Sequence, residues 1–120
     1  MKLFGTDGIR GVAGRFPLNT ETIIAIGQAI GEHCNGEILI GEDTRQSCPW
    51  IRALLKTGIA KTNSKTRDIG IAPTPAVAML TRNGAAGGVM ISASHNPYHD
   101  NGLKVFGPTG RKITERAEAA

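Results

Sequence analysis

Aromatic residues and cysteines are scarce in this sequence. Its 120 residues include one Trp, one Tyr and three Phe, too few for the aromatic platform on which single-stranded nucleic acids stack. The formal net charge of +4 comes from basic residues scattered among acidic ones, so the sequence predicts no nucleic-acid partner. Its two cysteines, Cys34 and Cys48, provide neither a disulfide framework nor a zinc-binding spacing, which favours the reducing cytoplasm.

Long apolar runs are also missing. No stretch approaches the length that crosses a bilayer, and the opening M-K-L-F-G-T-D has no signal-peptide apolar region. We therefore expect no membrane partner. With hydrophobic residues at 40% and charged residues at 20%, the composition is that of a globular chain with one core of modest size.

Short apolar runs with the length of strands alternate along the chain with amphipathic helices. Helices are predicted between Asn19 and Asn35, from Pro49 to about Ile59, and from Ala76 to about Arg82. Strands are predicted near 37–41, 67–71, 87–92 and 103–106. This alternation predicts an α/β protein, a three-layer α/β/α sandwich with a mixed, mainly parallel sheet.

The last residues indicate a chain that continues. Residues 107–110 have the composition of a turn, 111–113 that of a returning strand, and a helix is predicted to begin at Thr114 and to stop at Ala120 within about two turns. We expect residues 1–120 to be the N-terminal domain of a longer, multidomain protein.

Three polar clusters follow predicted strands, at 42–45, 72–75 and 92–100. In parallel α/β sheets, binding sites form at the carboxyl ends of the strands. The third cluster, S-A-S-H-N-P-Y-H-D from Ser92 to Asp100, carries more hydroxyl, imidazole and amide groups than a connecting loop needs. Its Asn96-Pro97 and Asp100-Asn101-Gly102 are turn formers. The sequence therefore predicts a functional site in this loop.

The residues alone leave the chemistry of that site open. Ser94 and His95 are neighbours, but no G-x-S-x-G nucleophile elbow is present, which disfavours a hydrolase. Arg10 and Lys104 lie beside turn glycines and are either solvated surface charges or site cations. The glycines of F-G-T-D-G-I-R-G-V-A-G match neither a Walker loop nor G-x-G-x-x-G, and their spacing fits a backbone lying close to a ligand or to another element.

Four motifs resemble the α-D-phosphohexomutases. They are F-G-T-D-G-I-R-G (4–11), G-E-D-T-R (41–45), P-T-P-A-V (73–77) and S-A-S-H-N-P with D-N-G-L-K (92–104). Their order and spacing resemble those of the first domain of this family across nearly the whole chain. The opening and the serine loop are most similar to members that interconvert glucosamine 6-phosphate and glucosamine 1-phosphate.

The resemblance implies that Ser94 carries a phosphoryl group and exchanges it with a hexose phosphate through a bisphosphate intermediate. It implies catalytic roles for Arg10, His95 and Lys104, and Mg2+ as a cofactor bound to Ser94 through its phosphate. It also implies a cytoplasmic enzyme whose partners are a phosphosugar, the remaining domains and, as an option, further copies of itself.

Some features depart from the family pattern. Glu42 stands where a basic residue is common, and Cys48 where a small residue is common. The metal loop D-G-D-x-D-R and the sugar-selecting loops do not occur in the sequence, so we expect the chain by itself to be inactive. Two alternatives stay open: a mutase of the same family for mannose or glucose phosphates, and a stand-alone module that binds phosphosugars or partner proteins.

Overall fold

The computed structural model describes residues 9–93, 97 and 99–111. In chain order its elements are β1 (Ile9–Val12), α1 (Thr20–Cys34), β2 (Glu37–Glu42), α2 (Cys48–Ile59), β3 (Lys65–Ile71), α3 (Thr74–Arg82), β4 (Gly87–Ile91) and β5 (Asp100–Phe106). In this part of the chain no helix is long and apolar enough to cross a membrane.

The strands form one mixed sheet with the order β1-β5-β4-β2-β3. Strand β2 pairs in parallel with both β3 and β4, whereas β5 pairs antiparallel with both β4 and β1. It follows that four strands point the same way and β5 alone opposes them among the five. The prediction of a mixed, mainly parallel sheet is confirmed.

Helices cover both faces of the sheet and complete the three layers. Helices α1 and α2 pack on one face through a continuous apolar cluster that includes Ile23, Ile40 and Leu55. Helix α3 packs on the other face, where Val77 contacts Met90 and Phe106. Alternation of side chains along each strand supplies both faces.

Helices α1 and α2 lie unusually close together because glycines face each other's backbone. A Cβ atom added to Gly58 would lie 2.0 Å from the carbonyl oxygen of Ile24, and one added to Gly27 would lie 2.4 Å from that of Leu55. Real Cβ atoms do not approach that closely, so only glycine permits this separation.

The sequence predictions miss one strand and place the start of another about three residues late. Ile9–Val12, interpreted only as backbone close to a ligand or another element, forms the edge strand β1. Its partner β5 begins at Asp100 rather than at residue 103, so the turn-forming sequence 100–102 is strand. Pairing with β1 overrides its turn propensity, because strand preference depends on context.

The end of the chain is described only in part. The backbone N–H of Gly107 donates to the carbonyl of Arg111 at 2.9 Å, which turns the chain back after β5 as predicted. The rest of the returning strand and the helix predicted from Thr114 lie outside the described residues.

Candidate active site

The carboxyl ends of β2, β3 and β4 meet at one edge of the sheet. The backbone N–H of Asp43 donates to Ile91 at 3.1 Å and joins the ends of β2 and β4. The N–H of Ala72 donates to Glu42 at 3.1 Å and joins the end of β3. Strand β5 begins at this edge, since Asp100 pairs with Val12 at the end of β1. The described strand ends that carry the three predicted polar clusters therefore share one edge.

The carboxylate of Asp43 is the centre of a hydrogen-bond network at this edge. Its Oδ2 accepts from the hydroxyl of Ser92 at 2.8 Å and is paired with the Arg45 guanidinium. Its Oδ1 accepts from the backbone N–H of Arg45 at 3.0 Å and from the Cys48 thiol at 3.1 Å. Burial raises the pKa of Asp43, but the hydrogen bonds from Arg45, Cys48 and Ser92 outweigh it, and the net pKa is lowered.

The Cys48 thiol is fully buried between this network and the apolar core. Burial raises the pKa of Cys48 to about 11, and the neighbouring Asp43 carboxylate adds to the effect, while a hydrogen bond from Asn101 opposes it. Asn101 Nδ2 lies 3.3 Å from the sulfur and 2.8 Å from Ser47 Oγ. The thiol is therefore neutral at physiological pH and acts as a donor to Asp43.

Arg10 and Lys104 lie on the same face of the sheet. In the antiparallel registers Arg10 is opposite Gly102, and Lys104 is opposite Met90. Residues directly opposite share a face, and diagonal neighbours such as Arg10 and Lys104 lie about 7–8 Å apart, with their Cβ atoms somewhat closer. Because Met90 packs against Val77 of α3, both cations lie on the α3 face. Lys104 is buried, and Arg10 is half-buried.

Gly102 leaves room for the Arg10 side chain. A Cβ atom at position 102 would lie 3.0 Å from Arg10 Cγ, 3.0 Å from the carbonyl oxygen of Ser92 and 2.5 Å from that of Ile9. The stem of Arg10 therefore runs across β5 beside Ser92. The backbone N–H of Ser92 donates to Gly102 at 3.0 Å, which ties the end of β4 to the same place.

Two of the four predicted catalytic residues, Arg10 and Lys104, are thus brought together beside the end of β4. The other two, Ser94 and His95, lie outside the described residues, and their placement stays a prediction. In the described part of the chain no group of three or more His, Cys, Asp or Glu side chains is placed to hold a metal ion.

The residues of the Asp43 network were given no role from the sequence. In the sequence Asp43 belongs to a polar cluster after a strand and to the motif G-E-D-T-R, and Asn101 belongs to a turn-forming run and to the motif D-N-G-L-K, but neither motif indicates that the two side chains share a network. The full burial of Asn101 in a strand indicates the network, because a buried amide needs hydrogen-bond partners. That burial is a property of the fold and cannot be read from the sequence.

Comparison with known proteins connects this arrangement to one family. The family model described as phosphoglucomutase/phosphomannomutase, alpha/beta/alpha domain I, matches residues 1–120. The phosphoglucosamine mutase of Solibacter usitatus is 53% identical over 97% of this chain and 27% of its own length. That of Deinococcus radiodurans is 47% identical over 98% of this chain and 28% of its own.

Solved structures agree with the fold. A candidate phosphomannomutase of Thermus thermophilus superimposes with a TM-score of 0.83 at 33% identity, over 95% of this chain and 27% of that one. A phosphoglucomutase/phosphomannomutase family protein of Burkholderia thailandensis gives a TM-score of 0.80 at 23% identity, over 98% of this chain and 28% of its own, and shows the fold alone.

The chain spans a little over a quarter of the length of the curated relatives it matches. The family model covers all of it, and the relatives that cover nearly all of it are phosphoglucosamine mutases. This chain therefore belongs to the phosphoglucomutase/phosphomannomutase family, in which it corresponds to the α/β/α domain I, and it is a phosphohexomutase domain similar to that of phosphoglucosamine mutase.

Proposed function

We propose that this domain carries the catalytic phosphoserine of a phosphoglucosamine mutase, with Ser94 as the phosphoryl carrier. The observation that carries the proposal is the pair of cations, Arg10 and Lys104, on one sheet face beside the end of β4, where the chain leads to Ser94. The 53% identity to a phosphoglucosamine mutase supports the choice of sugar.

The proposed reaction is a double phosphoryl exchange. A hydroxyl oxygen of the hexose monophosphate attacks the phosphorus on Ser94, the bond from phosphorus to Ser94 Oγ breaks, and the proton of the sugar hydroxyl ends on the departing Ser94 Oγ. The resulting bisphosphate reorients. Its other phosphate then returns to Ser94 Oγ, which leaves glucosamine 1-phosphate from glucosamine 6-phosphate, or the reverse.

The cations would lower the barrier of this exchange. Transfer spreads negative charge over the phosphoryl oxygens, and fixed positive charges stabilise it without reorganising. Arg10, held across Gly102, is suited to contact the phosphoryl group. Lys104 is buried beside the end of β4, and the family motif assigns it to proton transfer. His95 is assigned to the same site through the family motif.

A phosphoserine carries nearly two negative charges, and we propose that Mg2+ binds to it. The ion would supply charge neutralisation at the phosphoryl group. The described residues contribute no carboxylate cluster for it, so its protein ligands, apart from the Ser94 phosphate, are assigned to other domains of the enzyme.

The partners follow from the same proposal. The chain covers only 27–28% of the length of its relatives. In the complete enzyme the remaining domains would supply the metal loop and the sugar-selecting residues, so domain I alone is expected to be inactive. The substrate is a phosphosugar, the enzyme works in the cytoplasm, and a homo-oligomer is compatible with it. Nucleic acids and membranes are not among the proposed partners.

Replacing the carrier serine tests the proposal. In the mutase containing this domain, Ser94→Ala should abolish turnover and retention of phosphate on the protein, measured by intact mass. Ser92→Ala, two residues before Ser94, should leave most phosphate retention intact. Equal phosphate incorporation in the Ser94→Ala protein would refute the assignment.

A second candidate is a phosphomannomutase, favoured by the 33% identity to the candidate phosphomannomutase of Thermus thermophilus. Both candidates use the same phosphoserine, so the sugar distinguishes them. The ratio of kcat/KM for glucosamine 1-phosphate and mannose 1-phosphate decides: a ratio in favour of mannose would replace the first candidate by the second.

A further inference from the structure

We propose that Asp43 is a positioning residue of the phosphoryl-transfer site, whose carboxylate fixes Ser92 and, through it, the segment that leads to Ser94. This role rests on the proposed function, since it concerns the same phosphoryl transfer. Asp43 would not touch the substrate; it would act through Ser92.

The bond between Asp43 and Ser92 connects two strand ends that are distant in sequence. Asp43 follows β2 directly, and its carboxylate accepts from Ser92 Oγ at 2.8 Å, across a sequence separation of 49 residues. On the other side, the Ser92 N–H donates to Gly102 of β5 at 3.0 Å. Ser92, two residues before Ser94 in the sequence, is therefore held by β2 and by β5.

The carboxylate is itself held in place. Oδ1 accepts from the Arg45 N–H and the Cys48 thiol, and Oδ2 from Ser92 and the Arg45 guanidinium. With both oxygens engaged twice, the carboxylate cannot rotate without breaking several hydrogen bonds. Ser92 is 6% exposed, so water does not readily replace Asp43 as its partner.

Rigidity of this kind matters for phosphoryl transfer. The reaction depends on alignment and electrostatics more than on covalent chemistry by the protein, and misplacement of a reacting group by an ångström costs about 100-fold in rate. A carboxylate that only stabilised the local turn after β2 would need the hydrogen bond from the Arg45 N–H alone. The bond to Ser92 adds control over a position two residues before Ser94.

The test uses kinetics of the mutase that contains this domain, with glucosamine 6-phosphate as substrate. Asp43→Asn and Ser92→Ala should each lower kcat by about 10- to 100-fold and leave KM nearly unchanged, with Ser94 still phosphorylated. Ser92→Thr, which keeps the hydroxyl, should recover most of the kcat lost in Ser92→Ala. The double variant Asp43→Asn/Ser92→Ala should be no slower than the slower single variant.

Asp68→Asn is the matched control, because Asp68 forms an exposed ion pair with Lys56 on the edge strand β3; it should keep wild-type kcat and KM. Wild-type kcat in Ser92→Ala, or a Ser92→Thr protein as slow as Ser92→Ala, overturns the role. The two Ser92 variants decide the question even where Asp43→Asn fails to fold. If Ser94→Ala is inactive while Asp43→Asn and Ser92→Ala are fully active, the positioning role alone fails; if Ser94→Ala stays active, the proposed function fails.

Discussion

The two faces of the sheet differ in how many apolar side chains they bury and in which charged side chains they carry. On the face covered by α1 and α2, the described core contains fifteen buried residues, most of them isoleucine. On the α3 face the corresponding cluster contains three, Val77, Met90 and Phe106, and this face also carries Arg10, Gly102 and Lys104. The first face supplies most of the apolar burial and includes a partly buried ion pair, Glu42 with Arg52 of α2, whereas the second holds the two cations of the site, Arg10 and Lys104.

This division has a physical reason. Buried charges are costly unless they are paired and hydrogen-bonded, so they need a region where packing is less complete and polar partners are near. Apolar burial, in contrast, stabilises in proportion to the area removed from water. Placing the two on opposite faces allows substitutions in one to leave the other nearly unchanged, and the following experiments test that separation.

The largest effect on stability is expected on the apolar face. Leu55 is fully buried between α1 and the sheet, so Leu55→Ala should lower the free energy of unfolding by about 2–5 kcal/mol, through lost burial and a residual cavity. Urea denaturation measures it. The control is Ile71→Ala, since Ile71 is 72% exposed and should change stability by about 0.5 kcal/mol or less. Equal effects of the two substitutions would contradict the division.

On the α3 face we expect the opposite outcome. Lys104→Met keeps the apolar stem beside Met90 and removes the charge, so turnover of the mutase should fall by about 100-fold or more. The loss in unfolding free energy should be smaller than that of Leu55→Ala. Steady-state kinetics and urea denaturation on the same preparation check both. A Lys104→Met protein that is unstable and yet fully active would reverse the comparison.

Gly102→Ala should lower both the free energy of unfolding and the turnover of the mutase. The added Cβ would lie 2.5 Å from the Ile9 carbonyl oxygen and 3.0 Å from Arg10 Cγ, so β1 must move and Arg10 must leave its path across β5. We expect a loss of about 1–3 kcal/mol in unfolding free energy together with slower turnover. Gly107→Ala is the matched control, since a Cβ there meets nothing within 4 Å. Wild-type turnover in Gly102→Ala would show that this path of Arg10 is dispensable.

Most of the scaffold could be predicted from the sequence because local patterns determine it. The i, i+3, i+4, i+7 spacing of Ile23, Ile26, Gly27 and Ile30 specifies a helix face, and all four are buried. The short apolar run 37–41 specifies a strand covered on both faces. Neither inference needs contacts between residues that are far apart in the sequence.

The Asp43 network could not be predicted for the opposite reason. Asp43, Ser92 and Asn101 meet only because β2, β4 and β5 lie side by side, and nothing local to each residue indicates its partner. The same holds for β1, whose strand conformation depends on pairing with β5. The family resemblance identifies Arg10 and Lys104 as site residues, whereas their spacing alone does not distinguish site cations from surface charges.

Acid should weaken the polar edge before it affects the apolar core. The pKa of Asp43 is lowered by its hydrogen bonds, so the stability it contributes is present above the ordinary value of 3.8 and is lost as pH falls through the lower folded value. We expect Asp43→Asn to reduce the pH dependence of unfolding below pH 3.8 by about 1 kcal/mol or less. Urea denaturation at several acidic pH values measures it, with Asp68→Asn as control. Identical pH profiles for wild type and Asp43→Asn would contradict the network.

The smallest effect concerns Cys48, which lies where the apolar face meets the polar edge. Its pKa of about 11, against an ordinary 9.0, leaves roughly 100-fold less thiolate than an ordinary thiol at pH 8, and only the thiolate reacts with alkylating reagents. Burial also raises the pKa of Cys34, but Cys34 is partly accessible, whereas Cys48 is not. In the folded chain iodoacetamide should therefore modify Cys34 first and should reach Cys48 only in urea. Peptide mass spectrometry of the alkylated protein measures the modification of each cysteine. Because the folded pKa of Cys48 exceeds the unfolded one, its contribution to stability is complete below pH 9.0 and is lost as pH rises toward about 11. Equal labelling of both cysteines at pH 8 would mean that Asp43 and Asn101 do not enclose this thiol, and that the polar edge is open to solvent where it joins the core.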